Sequence, residues 1–286
     1  MFVDTHLHLI DRSRLSYPWL SGNAALNHDF SYAQYAKEAL RAGIADVLHM
    51  EVDVDEKDMA RETEFIRAQA QQKGNLIRGV TAACRPENAD FPTYLEKCLT
   101  DPFVKGFRRV LHVMPDELSE STLFRENIRR LNGTGKHFDL VVQPHQIPRA
   151  AALIDLAPDT QFILDHCGVP DIKGRAEHPW RENIAEIAKR PNVTAKISGV
   201  VAYADPESWT AETLRPWVEH VIGSFGWDRV VWGSDWPVCT LGGGLLHWIA
   251  ATFALTAGCS LDERERLFWR NADKIWNLGL AAKAKA

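Results

Sequence analysis

FVDTHLHL, residues 2–9, is a short apolar, β-branched segment that ends in two histidines two positions apart. Seven more apolar segments follow it, near residues 44–51, 76–83, 103–110, 138–143, 161–166, 193–198 and 229–234. Longer amphipathic stretches separate them, among them 32–42, 56–73, 91–100 and 180–189. Strands alternating with helices along a whole chain predict a parallel sheet with right-handed crossovers. Eight strands permit closure, and 286 residues suit the roughly 250 that an α/β (β/α)8 TIM barrel needs. An open, doubly wound sheet is the alternative, but no Gly-rich phosphate turn follows the first segment. The run GGG at 242–244 comes after the eighth and reads as a loop. The expectation is one barrel domain over residues 1–280, followed by an Ala/Lys tail at 281–286 that frays.

Composition narrows the partners. The charged fraction is 25% and the net charge −5, without long runs of one sign, which argues against nucleic acid and anionic membranes. Five scattered cysteines form no pair with metal-ligand spacing, so neither a disulfide framework nor a cysteine zinc site is expected. No apolar run reaches the roughly 18 residues of a membrane span, and without a basic n-region or long apolar h-region before the first strand no secretory leader is expected. A cytoplasmic enzyme acting on a small molecule is the expectation; the sequence is silent on oligomeric state.

In a closed barrel the reacting groups gather at the carboxyl ends of the strands. His6 and His8 share one face of the first strand, because side chains alternate with a period of two. His166 ends the sixth strand, and Asp235 follows a Gly-Ser step after the eighth. Each alone has an ordinary explanation: surface histidines, a core imidazole, a helix cap. Together they would converge on one axis, where two imidazoles bind a metal or polarise a carbonyl. Glu51 ends strand two, and Arg108 on strand four offers a planar fork to a carboxylate or lactone oxygen, with Arg109 facing the other way. Thr194, Lys196 and Ser198 form a polar stripe on strand seven, where Lys196 contacts either substrate or an internal carboxylate. His112, His145, Tyr17, Trp19 and Trp236 are further candidates for the pocket wall.

The motifs DTHLH, LDHCGVPDI, WGSDWP and LFWRNADKIW resemble the lactonase branch of the amidohydrolase superfamily, over residues 2 to about 278. SYPWL near residue 16 and VKGFRRVL near 104 resemble the sugar-lactone hydrolases and 2-pyrone-4,6-dicarboxylate lactonase of that branch. The resemblance implies Asp235 as the base that activates water, with His6, His8 and His166 around the carbonyl oxygen. Beside these, Arg108, Lys196, Glu51, His145, Trp236 and Trp19 stand as candidate substrate contacts from their places at the mouth. The resemblance allows one divalent metal, such as zinc, on His6, His8 and Asp235, with Glu51 as a further ligand, and does not require it for catalysis. The chain departs from the superfamily's two-metal pattern. Strand four ends in Arg108 and Arg109 where a bridging lysine would stand, Lys105 lies earlier, and His145 falls beyond strand five.

A lactone is a closed ester, and its hydrolysis needs an activated water and donors for the oxyanion. Few cations among the candidates favour a neutral aldonolactone, of L-fucono, L-rhamnono or galactono type, over a pyrone dicarboxylate. Two other readings remain: a metal-dependent aromatic-acid decarboxylase on the same scaffold, and a sugar-binding protein without turnover.

Overall fold

The computed structural model describes residues 1–280; the tail expected to fray lies outside the described residues. Eight parallel strands pair in sequence order, β1 with β2 through to β7 with β8. They are β1 (Phe2–Leu7), β2 (Ile44–Met50), β3 (Ile77–Ala83), β4 (Val104–Val110), β5 (His137–Val141), β6 (Phe162–Leu164), β7 (Val193–Ile197) and β8 (Val230–Trp232). Helices lie between them, as in a TIM barrel. Every strand is almost wholly buried, which is why each reads as an apolar run and not as an alternating one.

Closure is made by the chain just beyond β8. The Asp235 amide donates to the His6 carbonyl at 2.9 Å, and the His8 amide donates to the Trp236 carbonyl at 2.8 Å. Asp4 reinforces this seam from inside. Its Oδ1 accepts from the amides of His6 (3.0 Å) and Ser234 (2.8 Å), and its Oδ2 accepts from the Tyr35 hydroxyl (2.7 Å). The buried carboxylate thus fixes His6 and Asp235 relative to one another.

The helix Tyr32–Arg41 starts on a capping box, with Ser31 and Gln34 each accepting from the other's backbone amide. The stretch expected to be helical over 56–73 divides into a short turn, Glu56–Asp58, and the helix Met59–Ala70. At the chain's end, Trp269, Ala272, Trp276 and Leu280 pack against Val3, Leu48, Ile163 and Val231, filling the barrel end away from the site. No helix among the described residues is long and apolar enough to cross a membrane.

Two strands stop earlier than their apolar runs. β6 ends at Leu164 because His166, Cys167, Gly168 and Val169 all take positive φ. β8 ends at Trp232, and Asp235 follows with φ +55°. Non-glycine residues enter this region at a cost of about 1–3 kcal/mol each, and such strain clusters at functional sites. Here it turns His166 and Asp235 off their strands and into the barrel mouth.

Candidate active site

His6, His8, His166 and Asp235 meet at the mouth, all at least nine-tenths buried. Asp235 Oδ1 lies 3.6 Å from His6 Nε2 and 3.4 Å from His8 Nε2, while its Oδ2 lies 3.8 Å from His166 Nδ1. His166 Nδ1 also lies 2.9 Å from the Ser198 hydroxyl. His8 Nδ1 is 2.9 Å from the Met50 carbonyl, which can only accept, so that nitrogen carries the proton. The lone pair of His8 Nε2 therefore points at His6 Nε2, 3.1 Å away.

Burial sets the protonation states. It lowers His8 and His166 to about 4, with the Arg108 charge adding to the effect at His8. Burial and the Lys196 ammonium push His6 well below its ordinary value. All three imidazoles are neutral at pH 7. Burial also raises Asp235 to about 6, against the opposing pull of His166 and Arg108.

Beneath this cluster lies a network of buried charges. Lys196, fully buried, sits 2.7 Å from Asp139 and 2.8 Å from Asp165. Burial opposes its charge, but the two carboxylates outweigh that and hold it above its usual value. Arg108 donates to Glu51 Oε1 at 2.6 Å and to the Glu51 carbonyl at 2.7 Å, with Asp165 at 3.3 Å. Asp165 thus links Lys196, Arg108 and His6, whose Nδ1 is 3.5 Å away.

The structure brings some of the expected substrate contacts to the cavity and leaves others away from it. Lys196 points inward to Asp139 and Asp165 and does not line the cavity. Glu51 is spent on Arg108 and belongs to neither candidate metal set. His145 stands on a turn begun by Pro144, on the surface beside Asp116 at 3.3 Å. Trp236 packs on Phe30 and Tyr35 in the core, and Tyr17 is likewise buried there. Trp19 does line the cavity, with its Nε1 donating to the Val52 carbonyl at 2.8 Å. Arg108 and His112 line it as well, whereas Arg109 turns away to Glu87. Sequence reasoning missed Asp4, Asp139, Asp165 and Tyr203. For Asp165 a signal existed: a carboxylate directly before His166, at the end of an apolar strand.

Two donor sets could hold a metal: His6, His8 and Asp235, or His6, Asp165 and His166. The first fits better. Its donor separations of 3.1, 3.4 and 3.6 Å lie close to the tetrahedral edge of about 3.3 Å that follows from Zn–N and Zn–O bonds of about 2.0–2.1 Å. In the second set, Lys196 at 2.8 Å from Asp165 repels a cation. Charge agrees as well. The buried carboxylates around the site, among them Asp4, Glu51, Asp139, Asp165 and Asp235, outnumber its buried cations Arg108 and Lys196, which favours a further positive charge.

Gly199 keeps His166 in place. It has φ +70°, and a Cβ there would come within 2.6 Å of His166 Nδ1. Gly199→Ala is expected to cost about 1–2 kcal/mol in backbone strain. By displacing the imidazole it should also lower kcat by about tenfold or more. A thermal melt and steady-state kinetics check both parts; an unchanged kcat would show that His166 tolerates displacement.

Residues 3–278 match the family model described as Amidohydrolase. The L-fucono-1,5-lactonase of Burkholderia multivorans is 27% identical, over 99% of this chain and 95% of that protein. The L-fucono-1,5-lactonase of Burkholderia ambifaria is 28% identical over 67% of this chain and 68% of its own. A crystal structure of an amidohydrolase from Burkholderia multivorans with bound zinc superposes with a TM-score of 0.86 at 22% identity, covering 97% of this chain and 99% of that one. That likeness concerns the fold. With nearly its whole length matched to the family model, the chain belongs to the amidohydrolase family.

Proposed function

We propose that this protein hydrolyses a small, uncharged lactone, of the sugar-lactone kind named for its Burkholderia relatives, with Asp235 as the base. The observation that carries the reading is one carboxylate held within 3.4–3.8 Å of three neutral imidazoles at a cavity floor. Ionised Asp235 takes a proton from water, whose oxygen bonds to the ester carbon. The ring C–O bond breaks, and the proton passes to the alkoxide that leaves, giving a hydroxy acid. His6, His8 and His166 surround the position of the carbonyl oxygen; an N–H of His6 or His166 stabilises the oxyanion there, whereas His8 Nε2 presents a lone pair suited to a metal.

His6, His8 and Asp235 would hold one divalent ion, and zinc suits their N₂O donor set. Bound there, it supplies Lewis acidity to the ester. Asp235 Oδ1 faces the two Nε2 atoms, which leaves Oδ2 for the proton.

An uncharged substrate follows from Arg108. It is the sole Lys or Arg among the described residues lining the cavity, and Glu51 and Asp165 already engage its guanidinium. A substrate dicarboxylate would find no unpaired cation.

Acid release from a panel of lactones, followed with a pH indicator with and without a chelator, tests the reading. Acid release from neutral lactones is expected. Chelation should lower kcat/KM by about 10²-fold, in line with several kcal/mol of Lewis-acid stabilisation. Asp235 and the imidazoles would sustain the remaining rate. No acid release from any lactone, together with carbon dioxide release from an aromatic acid or sugar binding without turnover, would replace the reading.

A further inference from the structure

The structure assigns Ser198 a positioning role: its hydroxyl fixes which nitrogen of His166 carries the hydrogen, and so aims an N–H into the cavity. The catalytic consequence rests on the lactonase reading above; the tautomer rests on the geometry of the protein alone. Two of the three imidazoles have no nitrogen to spare. His8 binds the Met50 carbonyl through Nδ1 and turns Nε2 to His6. His6 is fully buried and does not line the cavity. Its Nδ1 faces Lys196 at 3.3 Å and Asp165 at 3.5 Å, and its Nε2 faces His8 at 3.1 Å and Arg108 at 3.4 Å. His166 does line the cavity, and its Nε2 makes no hydrogen bond among the described residues.

Ser198 follows the last residue of β7 and is fully buried, out of reach of cavity water. His166 Nδ1, at 2.9 Å, is the one hydrogen-bond partner of its hydroxyl among the described residues. Burial keeps the ring neutral at pH 7, so one nitrogen donates and the other accepts. A hydrogen on Nδ1 would go to Ser198 and strand the serine's own O–H in the interior, which is costly. Asp235 Oδ2, at 3.8 Å, is beyond hydrogen-bond reach of Nδ1. When Ser198 donates to Nδ1 instead, its hydrogen is placed and that of the imidazole sits on Nε2, facing the cavity. There an N–H stabilises the oxyanion, whereas a lone pair would repel it. The seat is tight around a small side chain. A Cβ at Gly199 would come within 2.6 Å of His166 Nδ1, and one at Gly233 within 3.4 Å of Ser198 Cβ. On another side the Tyr203 ring stands edge-on to His166, with centroids 6.2 Å apart. Ser198 touches no substrate and acts through His166.

Kinetics and NMR on the intact enzyme test the role together. Ser198→Ala should lower kcat on a neutral δ-lactone by about tenfold with KM nearly unchanged, a part of the roughly 10²–10³-fold that a whole oxyanion donor contributes. The same substitution made in His166→Gln should change kcat by less than about twofold, since no imidazole is left for the hydroxyl to act on. Imidazole ¹⁵N spectra at pH 7 tell a protonated nitrogen from a lone pair, and the His166 signals are those lost in His166→Gln. They should show the hydrogen on Nε2 in wild type and population moving to Nδ1 in Ser198→Ala. A hydrogen on Nδ1 in wild type, an unchanged tautomer in Ser198→Ala, or an equal fall in kcat in both backgrounds would overturn the inference and leave lactone hydrolysis standing. No acid from any lactone with wild type would overturn the lactonase reading instead, and the spectra would still decide the tautomer.

Discussion

Asp235→Asn is expected to lower kcat by about 10³-fold or more and to leave the fold intact. General-base catalysis by a positioned side chain contributes about 10²–10⁴-fold. Here the loss falls on the group that ties the three imidazoles together. Asparagine keeps the shape of the side chain but cannot accept the proton of water. The fold should not suffer, because Asp235 contributes no favourable charge of its own without a cation. Burial raises its carboxyl to about 6, so in metal-free protein its contribution to stability is fully present below about 4 and is lost as pH rises through 6. At pH 7 metal-free Asp235→Asn should therefore melt no lower than metal-free wild type. Circular dichroism and a melt at pH 7 establish the fold, and steady-state kinetics measure the loss. Near-wild-type turnover would remove Asp235 from the base role.

Lys196→Met is expected to cost about 3–5 kcal/mol of stability, the effect of removing one member of a buried ion pair. Lys196 is fully buried between Asp139 and Asp165, so methionine leaves both carboxylates in the interior with one cation fewer. Taking about 2–4 °C per kcal/mol for a chain of this size, the melting temperature should fall by roughly 10 °C. Asp165 retains Arg108 at 3.3 Å, whereas Asp139 keeps the ring of His137 at 3.0 Å and the Arg108 charge at longer range. Asp139→Asn in the same chain should then restore a good part of the loss, since it removes the less compensated charge. A melting temperature equal to wild type for Lys196→Met would show that the network carries no stability.

The barrel was legible because buried parallel strands read as apolar runs, and eight of them appear at helix-length intervals. His6, His8, His166 and Asp235 were legible because each stands at the end of such a run. The charges beneath them were not. Asp139, Asp165 and Lys196 come from three strands, and nothing in their spacing says that one ammonium serves two carboxylates. Lys196 and Glu51 looked like substrate contacts because their position at the mouth was readable and their partners were not. His145 misled for a local reason: Pro144 begins a helical turn after β5 and swings the ring to the surface. The early ends of β6 and β8 were hidden too. Positive φ at Cys167 and Val169 runs against the preference of these residue types and is imposed by the surrounding fold, while at Asp235, a type that tolerates it, nothing local announces it.

A crystal structure of the Asp235→Asn variant soaked with a slowly hydrolysed lactone tests the shared centre most directly. The ester carbon should lie beside the substituted side chain at position 235, with its carbonyl oxygen directed into the ring of His6, His8 and His166. A lactone bound in the same cavity with its ester turned away from those imidazoles, toward Val113 and solvent, would contradict it.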